Sequence, residues 1–181
     1  MRTLEQNTVD MKGQLWYAEY VGAVVRPPVD FFGQGAKIGD GKMKILVSAC
    51  LLGRNCKYNG GNNYDEKVVE FLKGKEVIEV CPEVLAGLGV PRTPIEIVDG
   101  VLLDRDGKNV DASLRDAVRQ ILEQISGEDI EYAILKSRSP TCGVKQVYDG
   151  TFSGKLIDGS GSLAQALKDA GYKVIDAEDM E

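Results

Sequence analysis

Histidine is absent from the sequence. That removes Ser-His-Asp and Cys-His catalysis, His-ligated zinc or iron, and imidazole proton shuttling. Acid–base work must fall to carboxylates, lysines, tyrosines or thiols. Also missing is any uninterrupted apolar run approaching the about 20 residues of a membrane helix, so no membrane partner is expected. The first residues carry Glu5 and Asp10 with only short apolar runs afterwards. That is not the basic-then-apolar order of a secretory signal, and the cytoplasm is the expected compartment. A formal net charge of −6 leaves little to neutralise phosphates with, so DNA and large RNA are poor partners. A local patch of Lys136, Arg138 and Lys145 either attracts a small anion or is solvated surface. No C-x-x-C occurs, which excludes a local zinc knuckle or ferredoxin run.

What is present fits one globular core. The 181 residues, 43% hydrophobic and 28% charged, can bury a single domain without splitting. Residues 1–42 stand apart: Arg26-Pro27-Pro28 and the glycines at 33, 35, 39 and 41 break any regular pattern. They read as an N-terminal extension of uncertain role, with a strand or hairpin expected between Leu15 and Val25. Residues 43–181 carry a much cleaner pattern and read as the functional domain.

Lys44 to Ala49 is a short β-branched apolar run, as expected of a strand buried on both faces, and it ends at Cys50. Asp65 to Lys73 has helical spacing closed by Gly74, and Glu76 to Val80 reads as a second strand ending at Cys81. Pro82 cannot extend that ladder. Ile95–Val98 and Val101–Asp104 flank Asp99-Gly100, the preferred chemistry of a type I′ hairpin. Asp111 is placed to cap a helix whose Leu114, Val118, Ile121, Leu122 and Ile125 form one apolar stripe. A third buried strand is predicted over Ile130 to Leu135, then a helix after Gly159-Ser160-Gly161-Ser162 and a strand over Tyr172 to Ile175. The Gly/Ser turn reads as a plain helix cap rather than a phosphate site. Alternating strands and helices imply a parallel sheet with right-handed crossovers. The predicted fold is three-layer α/β/α with a mainly parallel sheet and a small β-hairpin insert.

Cys50 and Cys81 each follow a predicted parallel strand directly, and Cys142 lies in the loop after the third. In open α/β sheets ligands bind beyond the carboxyl ends of the strands, where these thiols can converge. Cysteines in a reducing compartment are better explained by metal or reactivity than by disulfides. Three thiolates without histidine suit an iron–sulfur cluster better than structural zinc, which usually takes four protein ligands; Cys56 is a candidate fourth. On spacing alone, buried structural thiols remain an equal reading. A redox pair of Cys50 and Cys56 would have an unusual separation. Read alone, Glu83 would only brace the segment after Pro82, and Ser139-Pro140 is a common turn pair. Arg92 would bind substrate or pair with a nearby carboxylate.

The motifs Val47-Ser48-Ala49-Cys50-Leu51-Leu52-Gly53, Cys56-Lys57-Tyr58-Asn59-Gly60, Cys81-Pro82-Glu83, Pro91-Arg92 and Lys136-Ser137-Arg138-Ser139-Pro140-Thr141-Cys142-Gly143, in this order, resemble the 2-thiouracil desulfidase family. The resemblance runs from Met43 to about Val174. It implies a 4Fe-4S cluster on Cys50, Cys81 and Cys142, supplied by cluster-assembly machinery, with Cys56 outside the ligand set. It also implies non-redox removal of sulfur, as sulfide, from a small thiolated pyrimidine, with Glu83 and Ser139 catalytic. Lys57, Asn59 and Thr141 are variants where family members often carry arginine, aspartate and serine, and they are expected near the pocket rather than the cluster. The alternative is a noncatalytic iron–sulfur binding or sulfur-carrier module.

Overall fold

The computed structural model describes residues 43–180. The predicted N-terminal extension over 1–42, with its strand or hairpin, lies outside the described residues.

Strand β1, Lys44–Ser48, is the inner axis of the fold. Its Ile45, Leu46 and Val47 have no exposed surface, and successive side chains point to opposite faces. Both faces must therefore be covered. β1 pairs in parallel with β2, Glu76–Val80, on one side and with β5, Ile130–Leu135, on the other. β8, Val174–Asp176, adds in parallel to β5, completing a four-stranded sheet in the order β2-β1-β5-β8. On one face, Leu46, Val80, Ala133 and Leu135 meet the apolar sides of α3, Asp111–Ile125, and α4, Ser162–Asp169. On the other, Ile45, Val47 and Ile134 pack against Val68 of α1, Glu66–Phe71, and against Leu72 and Ala177. The three-layer α/β architecture predicted above is what forms.

The hairpin β3–β4, Ile95–Val98 and Val101–Asp104, pairs as expected, with positive φ at both Asp99 and Gly100. This is the backbone signature of the type I′ turn. It seats Ile95 and Leu102 against Leu114 of α3. Asp111, however, does not cap α3. Val110 occupies the N-cap position, and Asp111 is the first helical residue. Its carboxylate accepts from the Leu102 N–H at 3.2 Å and pairs with Arg115 at 2.6 Å. An edge N–H of β4 thus takes the oxygen that a capped helix would use, tying helix to hairpin. Arg115 holds the Asp111 carboxyl below the usual range.

Two further elements carry no periodic signal in sequence: α2, Pro82–Leu85, and a second hairpin of β6, Gln146–Tyr148, with β7, Leu156–Asp158. No helix among the described residues is long and apolar enough to cross a membrane.

Candidate functional site

Register decides where the cysteines go. Ser48 at the end of β1 pairs with Val80 at the end of β2, and Val47 pairs with Ile134 one residue before the end of β5. Three parallel strands therefore finish at the same sheet edge. Cys50 sits in the 3-10 turn Ala49–Leu52 that follows β1, Cys81 is the N-cap of α2, and Cys142 lies in the loop after β5.

The loop after Cys50 folds back on it. Gly53 closes the 3-10 turn at φ +88°, and the Asn63 N–H donates to the Cys50 carbonyl at 2.9 Å. This return brings the Cys56 thiol, 6% exposed, up against those of Cys50 and Cys81. The Cys56 thiol keeps its proton, and its hydrogen bond to Cys50 is the main cause holding that thiol down to about 7. Cys142, 5% exposed, is pushed well above the usual thiol range, first by burial and then by the Glu83 charge, with Cys50 and Cys81 near enough to add to the repulsion. All four cysteines are free thiols and share one end of the sheet. Among the described residues, no three cysteine, aspartate or glutamate side chains are arranged to hold a single metal ion. The donor set is soft sulfur, and Cys50, Cys81 and Cys142 approach the common space from three different strand ends.

Glu83, on the first turn of α2 and 7% exposed, enters the same space. Its Oε2 accepts from the Cys81 thiol at 3.4 Å, and its Oε1 accepts from the Thr141 hydroxyl at 2.7 Å. Ser139 lies beside it. Its Oγ accepts two backbone N–H groups, from Thr141 at 3.2 Å and from Cys142 at 3.0 Å, and stands 3.1 Å from Thr141 Oγ1. A serine hydroxyl has two acceptor lone pairs and one proton. With both lone pairs used by the loop, Ser139 has only a donor left to offer.

Two glycines shape this loop. A Cβ on Gly161 would lie 2.5 Å from the carbonyl carbon and oxygen of Thr141, and one on Gly143 would lie 2.7 Å from the carbonyls of Ser139 and Gln146. The close approach lets α4 use its free N-terminal N–H groups on the loop: Ser162 donates to Pro140, and Leu163 and Ala164 donate to Thr141. A helix start needs such partners, so this one is filled by the protein's own carbonyls, in keeping with the plain cap predicted for it. Gly161→Ala is expected to lower stability by about 1–3 kcal/mol through overpacking against backbone, read as the midpoint of urea unfolding. An unchanged midpoint would mean that loop and helix separate without cost.

Of the remaining candidates, Lys136 lies near enough for its charge to help lower Cys50, and the others have partners of their own. Arg138 pairs with Glu178 at 2.7 Å and Lys145 with Asp179 at 2.5 Å, while Lys136 donates to the Ser137 carbonyl at 3.0 Å. Acidic side chains thus answer the charge of Arg138 and Lys145. Arg92 is held by a carbonyl rather than a carboxylate, donating to Gly89 at 3.1 Å. Sequence reasoning offered Cys56 as a candidate fourth thiol of the site but missed the bridge made by Thr141. The Ser139-x-Thr141 pattern was the available signal.

Comparison with known proteins bears on this constellation. The chain is 41% identical over 147 residues to the uncharacterised protein YbbK of Bacillus subtilis, a match that takes in 75% of this chain and 97% of that protein. Among solved structures it superposes on the [4Fe-4S]-dependent thiouracil desulfidase TudS with a TM-score of 0.71 and 32% identity, over 77% of this chain and 93% of that one. The profile of the 2-thiouracil desulfurase family matches residues 45–179, a span that holds all of the four-stranded sheet but Lys44 and every thiol of the site. By that match and these likenesses, the chain belongs to the 2-thiouracil desulfurase family.

Proposed function

We propose that this chain is a desulfidase that hydrolyses the thiocarbonyl of a small thiolated pyrimidine such as 2-thiouracil, giving the oxo-pyrimidine and sulfide, with a 4Fe-4S cluster on Cys50, Cys81 and Cys142. The observation that carries the reading is the convergence of thiols, Glu83 and Ser139 at one sheet edge. The donor chemistry fits such a cluster: soft thiolates, no imidazole in the chain, and ligands approaching from separate strand ends rather than crowding one ion. When bound, the cluster supplies a Lewis-acidic iron for a soft sulfur.

The protein's own groups do the rest. Glu83, largely withdrawn from solvent, takes the proton from water as oxygen adds to the ring carbon. The proton of Ser139 serves as the donor to a ring heteroatom or to the departing sulfur, since its lone pairs are engaged by the Thr141 and Cys142 N–H groups. No redox change is needed: water adds, and the carbon–sulfur bond is exchanged for carbon–oxygen. Residues 43–181 form the desulfidase domain, with 1–42 an extension. Free thiols and an exposed-iron cofactor suit the reducing cytoplasm, where cluster-assembly machinery loads the site.

The test is anaerobic reconstitution with iron and sulfide, followed by the ultraviolet loss of 2-thiouracil and the release of sulfide. Turnover is the expected result. A brown, cluster-loaded protein that never consumes thiopyrimidines would instead be a carrier module, and a colourless one with bare thiols would sink both readings.

A further inference from the structure

Between the two groups given chemical roles lies a side chain that neither role uses. Thr141 is 0% exposed, and its Oγ1 is 2.7 Å from Glu83 Oε1 and 3.1 Å from Ser139 Oγ. A hydroxyl has one proton to give, and an ionised carboxylate only accepts, so the shorter contact takes the Thr141 proton. Ser139 Oγ already receives the Thr141 and Cys142 N–H groups, and its own proton points back to Thr141 Oγ1. Before substrate binds, the row therefore has one direction: Ser139 donates to Thr141, and Thr141 donates to Glu83; a bound substrate takes the Ser139 proton in place of Thr141 Oγ1 and leaves the Thr141–Glu83 bond intact.

Glu83 depends on this donor. Its Oε2 faces the Cys81 thiol at a longer 3.4 Å, and a thiol is a weak donor that is given up when a cysteine becomes a metal ligand. The Thr141 bond is the one that persists. Thr141 is itself held from two sides. Its carbonyl receives the Leu163 and Ala164 N–H groups of α4 at 2.8 and 3.2 Å, and its β-branch restricts χ1.

We propose that Thr141 is a positioning residue for the reaction, its hydroxyl fixing one oxygen of Glu83 so that the other is aimed at the water that attacks the ring carbon, and setting Ser139 and Glu83 as one unit. The inference rests on the reading of Glu83 as the proton acceptor. A buried hydroxyl also needs a partner merely to be stable, and the two roles separate experimentally. Thr141→Val keeps the shape and loses the hydroxyl, whereas Thr141→Ser keeps the hydroxyl and loses the methyl.

The experiment uses the full chain, reconstituted anaerobically, with 2-thiouracil as substrate. Thr141→Val is expected to lower kcat by about 10- to 100-fold, the cost of a misaimed group, with KM and iron content per chain unchanged. Thr141→Ser should restore most of kcat. A second readout is independent of turnover: the Glu83 carboxylate stretch, taken as an infrared difference against Glu83→Gln, should move in Thr141→Val and stay in place in Thr141→Ser. Should the valine variant fail to fold, Thr141→Ala takes its place in both measurements. Equal losses in the valine and serine variants, or an unmoved carboxylate band, would show a packing role and overturn the proposal. Full turnover by Glu83→Gln overturns the reading and the inference together. A dead Glu83→Gln beside an undiminished Thr141→Val overturns the inference alone.

Discussion

Glu83→Gln is expected to lower kcat for sulfide release from 2-thiouracil by about 10²- to 10⁴-fold, the usual worth of a positioned general base, without loss of cluster. Glutamine has the same shape, and its amide oxygen still accepts from Thr141, so the short contact at 2.7 Å is preserved while the proton acceptor is removed. Loading should not suffer. The Glu83 charge is among the causes that raise the proton affinity of Cys50 and Cys142, so its removal favours the thiolates that bind metal. Iron content and the visible spectrum then serve as internal controls. A variant with full iron and undiminished turnover would remove Glu83 from the chemistry. One that loses iron as well would assign it to holding the site together.

The reach of the sequence differs between fold and site for a physical reason. β1 was legible because Ile45, Leu46 and Val47 are apolar in succession, the mark of a strand covered on both faces. α3 was legible because its apolar stripe repeats over 15 residues. By contrast, β6 and β7 have three residues each and α2 has four, too few for a period to show. Asp111 looked like a cap because a local rule considers only its own helix, whereas the Leu102 N–H reaches it from a neighbouring hairpin. The site repeats this division. The strand-end cysteines could be seen as a set because parallel register carries all of them to one edge. The bridge from Thr141 to Glu83 joins a loop residue to the first turn of α2, and its existence depends on the bare backbone of Gly161 lying against Thr141. No spacing in the chain announces such a contact.

Cysteine substitution carries the second large effect. Cys50→Ser, Cys81→Ser and Cys142→Ser should each lose the brown chromophore, with iron retained after gel filtration falling by at least about tenfold. Even outer partners of metal ligands are worth 10- to 100-fold in affinity, and a serine hydroxyl is a poor replacement for a soft thiolate. Cys56→Ser should keep the chromophore, because the family resemblance leaves this residue outside the ligand set. The fold makes that expectation demanding. Cys56 is buried and lies against both Cys50 and Cys81, so proximity alone does not separate it from the other three thiols. What separates it is its origin: it rides on the loop folded back over Cys50, whereas Cys50, Cys81 and Cys142 follow three paired strands that the core holds in register. A rigid edge preorganises ligands and a returning loop covers them. Retention of iron by Cys56→Ser alone would support the three-thiol assignment. Loss of iron in that variant, with any one of the other three unaffected, would redraw the ligand set around the loop.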